Sequence, residues 1–310
     1  MNGGTAIAFA PASVGNCAVG FDLIGHALEG PGDRVVARRI AQGGVRIDAI
    51  RGLPMALPRS VGDNTASRAV ASLLDATGAA FGVALEIEKG IALGSGMGGS
   101  SASAVAALVA ANALLNAPLP LEALYAHALE GEFAASGGRH GDNVAPSLLG
   151  GLVLAAHQRL VRLPVPEGLH TLVVHPDLVV ETRVARERLR APFAIGDFVA
   201  QSEALALFLA GLYTNDATLI RAGLKDVLVE PRRADLIPGF AAVKQAMLDR
   251  GAYGASISGA GPSVFGWFAS RADAEAAQAD AVGAFADAGL EARPLVSPIG
   301  AAGARLESWT

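Results

Sequence analysis

No charged side chain interrupts the chain between Lys89 and Glu122. Such a run must be buried in protein or in lipid, because apolar surface is driven out of water. Its own residues separate the two options. It begins GIALGSGMGGSSAS and is later broken by Asn112, Asn116, Pro118 and Pro120. The apolar part, Ala102–Leu115, falls short of the ~20 residues a bilayer requires. The run therefore predicts a glycine loop over 94–99 and a buried helix over 101–115. Alanine suits that helix, since it has the best helix propensity and permits close helix approach.

Composition narrows the class further. The chain is 52% hydrophobic and 17% charged, with Lys+Arg 24 against Asp+Glu 29 for a net charge of −5. Disordered chains show the reverse balance. The single cysteine, Cys17, excludes a disulfide scaffold and a cysteine metal or redox pair. Nucleic acid as the main partner is disfavoured, because phosphate backbones demand clustered Lys and Arg, and the lysines are only Lys89, Lys225 and Lys244. The opening MNGGTAIAFAPAS lacks the charged start and long apolar core of a signal peptide. A soluble, cytoplasmic protein with no membrane partner is expected. At roughly 100–200 residues per domain, 310 residues suggest two domains. They divide near the change of character at 1–160 and 161–310.

Periodicity and turn signals supply the elements. TAIAFAPAS predicts a strand ending at Pro11, and LIGHALEG is a second apolar run. Residues 33–50 read as a hairpin about Gly43 and Gly44. Helices are predicted over 64–77 and 121–135, and a half-buried strand over 83–88. SLLGGLVLAA reads as loop and strand. Further on, HTLVVHP is a strand, and helices are predicted over 196–212, 215–228, 239–250 and 271–288. AYGASISGAGPSVFGWFA reads as strand, turn and strand, and the C-terminus is strand-like. The second half alternates strands and helices in an α+β manner.

A strand, a glycine loop and a helix in that order form an anion site. Glycines let the backbone approach a ligand, and a helix start offers free N–H groups and a positive dipole end. Ser100, Ser101 and Ser103 add hydroxyls, which can reach a phosphate-bound magnesium. A glycine turn with serine caps would need fewer glycines than Gly90, Gly94, Gly96, Gly98 and Gly99. No Gly-Lys-Ser/Thr follows, so the loop is not a Walker A motif. Gly94, Gly96 and Gly99 match G-x-G-x-x-G, with Glu122 about 20 residues on. The dinucleotide reading fails because Glu122 lies in an amphipathic helix rather than at a strand end.

Three other segments stand out. GEFAASGGRHGDNVAPS gathers Glu132, Arg139, His140, Asp142 and Asn143, which suits a metal, a substrate or both. A helix cap at Gly137 and Gly138 followed by a turn would equally explain it. ISGAGPS is either a hairpin turn or a second loop whose backbone faces a phosphate. NCAVGFD places Asn16 and Asp22 in a loop.

Taken in order, the segments resemble the GHMP kinase superfamily, and most closely its homoserine kinase branch. APASVGNCAVGFDLIGHAL, GSGMGGSSASAVAAL, HGDNVAPSLLGGLVL, ARERL, EPRRADLIPGF, ISGAGPSVF and AAGARLES carry the resemblance over nearly the whole chain. It implies a two-domain α+β fold. The N-terminal domain would be like ribosomal protein S5 domain 2 and the C-terminal one ferredoxin-like. It also implies ATP, Mg²⁺ and transfer of a phosphoryl group to the side-chain hydroxyl of L-homoserine, in threonine biosynthesis. A homodimer is compatible with the family.

By match to the family's motifs, Ser100 and Glu132 would take the metal. Lys89 and the loop backbone at Gly94, Gly96, Met97, Gly98, Gly99, Ser100 and Ser101 would hold the triphosphate, with Gly259 and Gly261 facing it. Asn64 would lie at the adenine. Asn16, Asp22, His140, Arg186 and Arg233 would bind homoserine, and Asn143 and Thr182 would lie near the reacting hydroxyl. Where the family usually has two serines after Leu-Gly, this chain has Gly99 and Ser100 with Ser101 behind. The metal hydroxyl therefore stays open between Ser100 and Ser101. The chemistry suits a zwitterion, whose carboxylate fits arginines and whose ammonium fits Asp22. Phosphoryl transfer is mostly positioning and charge stabilisation. The alternatives are a GHMP kinase for a mevalonate-type or sugar substrate, and a non-catalytic binding regulator on the same fold.

Overall fold

The computed structural model describes residues 4–54, 57–156 and 159–310. Helix α2, Gly99–Ala113, is buried at every position from Ser101 to Asn112. A helix apolar all round must be wrapped on all sides. It packs on strands β1 (Thr5–Gly15), β2 (Ile24–Ile40) and β4 (Gly82–Glu88), and on helices α1 (Thr65–Thr77) and α3 (Leu124–Ser136). The uncharged run is thus the centre of the first core.

The first sheet has the order β11-β1-β2-β4-β3, where β3 is Val45–Arg51 and β11 is Arg305–Trp309. Strand β5 (Leu152–Ala156) pairs with β2, and β6 (Arg159–Arg162) with β5. The hairpin expected over 33–50 does not form. Strand β4 lies between β2 and β3, antiparallel to the first and parallel to the second. Gly82 explains the insertion. A Cβ there would lie 2.1 Å from the Gln42 carbonyl oxygen, so only glycine lets β4 start tucked against the 42–44 turn. The next residue, Val83, donates its N–H to Gly44 O at 2.9 Å. Strand β1 also passes through Pro11, where a strand end was expected. The register with β2 shifts between Pro11 and Ser13, and such an irregularity tolerates a residue without an N–H.

The second sheet is antiparallel in the order β10-β7-β9-β8. Its strands are β7 (His170–Pro176), β8 (Gly254–Ile257), β9 (Val264–Phe268) and β10 (Ala292–Pro298). Helix α9 (Phe240–Asp249) and the pair α10 (Arg271–Ala276) and α11 (Gln278–Asp287) cover one face. Phe240, Val243, Met247, Phe268 and Phe285 fill that layer. The single helix expected over 271–288 is thus two, meeting at Ala277.

Between β7 and α9 lie α5 (Thr182–Glu187), α6 (Ile195–Thr214), α7 (Ala217–Gly223) and the short α8 (Glu230–Arg233). The helix expected over 215–228 stops early. Asp226 accepts the N–H groups of Leu228, Val229 and Glu230 at 2.9, 2.8 and 2.9 Å, and so opens α8 instead. The SLL segment, read as loop, belongs to α4 (Val144–Leu149), which opens at Asn143.

Candidate active site

The glycine loop enters α2 through Gly98, whose φ of 68° is left-handed. A Cβ at Gly98 would lie 2.4 Å from Ser13 Oγ and 2.9 Å from Asn143 Oδ1. The loop therefore needs glycine both for its angle and for the closeness of β1 and α4. Behind it, Lys89 is ion-paired to Asp33 and donates to Gly99 O at 2.6 Å and Ser103 Oγ at 2.9 Å. Its side chain is 2% exposed. Lys89 thus props the loop from beneath and does not line the cavity in front of it.

That cavity, of about 260 Å³, lies between the two halves of the chain. The glycine loop forms one wall through Gly94, Gly96, Gly98 and Gly99. Ser100 and Ser101 direct their hydroxyls to one oxygen of Glu132 on α3, at 3.4 and 3.1 Å. Among the described residues no cluster of three His, Cys, Asp or Glu side chains suits a metal. A cation here would have a carboxylate, hydroxyls and ligand oxygens, which is the hard donor set Mg²⁺ takes. The residues present fit that ion.

The opposite wall carries charge. The loop between β1 and β2 presents Asp22, which Arg186 grips with Nη2 at 2.8 Å and Nη1 at 3.1 Å. His140 Nδ1 lies 3.1 Å from the same carboxylate. Burial alone would raise the Asp22 carboxyl, but His140 and Arg186 outweigh it and hold it down at about 2. Arg233 is 3% exposed. It donates to Ala185 O at 3.1 Å and Gly259 O at 3.3 Å and has no carboxylate partner among the described residues. Burial, and then the neighbouring Arg186, lower it to about 10. A buried cation without a counter-ion is costly, so Arg233 is set to receive an anion.

The loop 258–263 ties these walls together. Ser258 Oγ donates to Gly96 O at 2.8 Å, and Ser263 Oγ to Ser95 O at 2.7 Å. Gly259 O accepts from Asn16 Nδ2 at 2.8 Å as well as from Arg233. Gly259, Gly261 and Thr182, the first residue of α5, all line the cavity. Asn143 is oriented from both sides: its Oδ1 accepts from Ser13 Oγ at 2.9 Å, and its Nδ2 donates to Asp142 Oδ2 at 3.3 Å. It lines the cavity with its oxygen committed to Ser13, and the second N–H of Nδ2 is left to donate to a hydroxyl oxygen.

One residue expected at the site, besides Lys89, lies elsewhere, and Met97 stays in the loop with its side chain buried. Asn64 caps α1, accepting from Ala66 N–H at 3.0 Å and donating to Pro58 O at 2.9 Å. Met97 is buried at 8% exposed, and its carbonyl accepts from Ser13 N–H at 3.1 Å. Arg139 turns away to Glu130 at 2.8 Å. Asp142, which the sequence places in the same cluster as His140 and Asn143 but gives no role of its own, belongs to the site. It lines the cavity, and burial and then the Asp22 charge push its carboxyl up to about 6. Ser13 was missed, and nothing local in APASVG marks it.

The comparisons agree with this architecture. Residues 64–151 match the model of the GHMP kinases N terminal domain, and 208–287 that of the GHMP kinases C terminal domain. The chain is 60% identical to the homoserine kinase of Xanthomonas campestris pv. campestris (strain B100), over 96% of this chain and 93% of that one. It is 40% identical to the homoserine kinase of Chlorobaculum tepidum, over 99% of each. The crystal structure of homoserine kinase from Cytophaga hutchinsonii superposes with a TM-score of 0.93 at 40% identity, covering 97% of each chain. With two family models covering over half its length and relatives this similar along nearly all of it, the chain belongs to the GHMP kinase family, in its homoserine kinase branch.

Proposed function

We propose that this protein transfers the γ-phosphoryl group of ATP to the side-chain hydroxyl of L-homoserine, giving O-phospho-L-homoserine for threonine biosynthesis. One observation carries the reading: a phosphate-type glycine loop faces, across one cavity, a carboxylate and a buried arginine that has no ion pair among the described residues. Arg233 takes the amino-acid carboxylate, with Arg186 beside it, and Asp22 takes the ammonium. Asn16 and His140 hold Asp22 in place, through its N–H at 2.9 Å and its carboxylate. The loop N–H groups from Gly94 to Ser101 cradle the triphosphate, and Gly259 and Gly261 close over it.

Asn143 donates from Nδ2 to the substrate hydroxyl and orients its lone pair toward phosphorus, with Thr182 on the far side. Neither is a strong base, and phosphoryl transfer asks chiefly for alignment and charge stabilisation. Ser100 and Glu132 would hold Mg²⁺, with Ser101 as the buried second hydroxyl. When bound, the ion neutralises phosphate charge. A soluble, cytoplasmic setting is part of the proposal, as is the division at 1–160 and 161–310, with β11 returning to the first sheet.

The test is ATP turnover measured with L-homoserine, mevalonate and galactose in parallel. Turnover with homoserine alone is expected. Activity on another alcohol but not on homoserine would refute the assignment, and ATP binding without any transfer would favour a regulator.

A further inference from the structure

The loop before β2 adopts a backbone that L residues avoid. Asn16, Cys17, Ala18 and Asp22 have φ of 67°, 40°, 57° and 58°. Such a loop keeps its shape only where its surroundings over-determine it. Asn16 organises its ends: Asn16 O accepts from Gly20 N–H at 2.8 Å, and Asp142 Oδ2 accepts from Asn16 N–H at 3.1 Å. The middle of the loop is held from outside. Gln201, on α6 and 8% exposed, donates from Nε2 to Val19 O at 3.0 Å. The Oε1 of the same amide accepts from Val227 N–H at 2.9 Å. Val227 follows Asp226, whose carboxylate accepts the N–H groups of Val229 and Glu230 where α8 begins, and α8 carries Arg233.

One buried amide therefore spans from the Asp22 loop to the Arg233 helix. An amide of this length donates to a carbonyl and accepts from an N–H at once. A carboxylate loses the donor, and an aliphatic chain loses both. We propose that Gln201 is a positioning residue that sets the separation between Asp22 and Arg233, and so the spacing at which the two charged ends of an α-amino acid are read. The proposal rests on the homoserine reading above. Because the amino acid's charged ends are held alike in the ground state and the transition state, the effect falls on its KM and not on kcat.

The test uses Gln201→Met and Gln201→Glu in the full chain. For Gln201→Met the homoserine KM is expected to rise by about tenfold or more, with kcat and the ATP KM within about twofold of wild type. A merely structural role would lower kcat as the active fraction falls and leave both KM values alone, and that result overturns the proposal. A parallel rise in both KM values also overturns it. Amide hydrogen exchange without substrate supplies a reading independent of the reaction. Gln201→Met is expected to speed exchange in both 16–22 and 226–230, and Gln201→Glu, which keeps its acceptor for Val227, in 16–22 alone. Faster exchange in only one segment of Gln201→Met overturns the coupling. Failure of wild type to turn over homoserine would sink the kinase reading, and exchange would still decide the bridge.

Discussion

Arg186 and Asp22 form a two-point ion pair inside the cavity, at 2.8 and 3.1 Å. The pair links α5 to the substrate loop, and His140 together with Arg186 keeps the carboxylate charged down to about 2. A carboxyl held below its unfolded value binds fewer protons when folded, so it stabilises above about pH 4, and that stability is lost as pH falls toward 2. Asp22→Asn is expected to cost about 2 kcal/mol near neutral pH. The gap from wild type should close in urea melts run from pH 5 down to pH 2.5. A gap that stays constant with pH would remove Asp22 as its source.

Arg233 behaves in the opposite way. Its charge is buried with no ion-pair partner among the described residues, and burial and then Arg186 lower its pKa to about 10, so removing the charge relieves a cost. Arg233→Met keeps the aliphatic stem. It is expected to melt no lower than wild type, while the homoserine KM rises by roughly 10–100-fold, the worth of charge-assisted hydrogen bonds. Differential scanning calorimetry and initial rates check the two halves. A lower melting temperature with unchanged KM would make Arg233 a structural residue.

Asp142 and His26 set opposing pH slopes. Burial, then the Asp22 charge, raise Asp142 to about 6, so the folded state binds the extra proton and stability falls as pH rises from about 4 to 6. His26, fully buried near the start of β2, is lowered by burial to about 4. The unfolded state then binds the extra proton, and stability rises from about pH 4 to 6.5. In wild type the two offset each other over most of this range. Asp142→Asn keeps an acceptor for Asn16 N–H and removes one slope. Its stability should climb between pH 4 and 6 by on the order of 2–3 kcal/mol, and it should exceed wild type at pH 7. A variant profile parallel to that of wild type would show that Asp142 does not titrate in the fold, and a flat one would show the same of His26.

Much of this site was legible because its chemistry lives in short contiguous strings. GSGMGGSSAS, HGDN and ISGAGPS each arrive at the cavity as local units, since their glycines serve the loop itself. What was not legible depends on partners far away in the chain. Lys89 reads as a phosphate ligand until Asp33 appears beneath it, a strand away. Asn64 reads as a ligand and acts as a helix cap, which the residue type alone does not distinguish. The false hairpin has the same origin: Gly43 and Gly44 do make a turn, but β4 intrudes from beyond α1.

The buried Lys89 and Asp33 pair supports the loop, so breaking one half should harm more than removing both. Lys89→Met leaves Asp33 charged and buried, and is expected to cost about 3–5 kcal/mol. Adding Asp33→Asn should recover a large part of that loss in chemical denaturation. Rising ATP KM in the double variant would separate support of the loop from stability of the core. No recovery in the double variant would mean the pair is not coupled.

Ser100 and Ser101 compete for one oxygen of Glu132, and their burial separates them. Ser101 is 1% exposed, whereas Ser100 is half-buried at the cavity wall. Glu132→Gln is expected to lower kcat by about 10²–10³, and Ser100→Ala to raise the Mg²⁺ needed for half-maximal rate more than Ser101→Ala. Magnesium titrations at saturating ATP decide it. The reverse order would give the metal to Ser101.

The return of β11 to the edge of the first sheet has a consequence for how this chain is made. Thr5 and Thr310 exchange backbone hydrogen bonds at 3.0 and 2.9 Å, and β11 pairs with β1. Strand β1 therefore waits, with one edge bare, for a partner synthesised long after it. Contacts so distant in sequence close late. During translation the edge of β1 is open to any neighbouring strand, including that of another nascent copy. Once folded, Thr5 and Thr310 lie side by side, and that edge is closed.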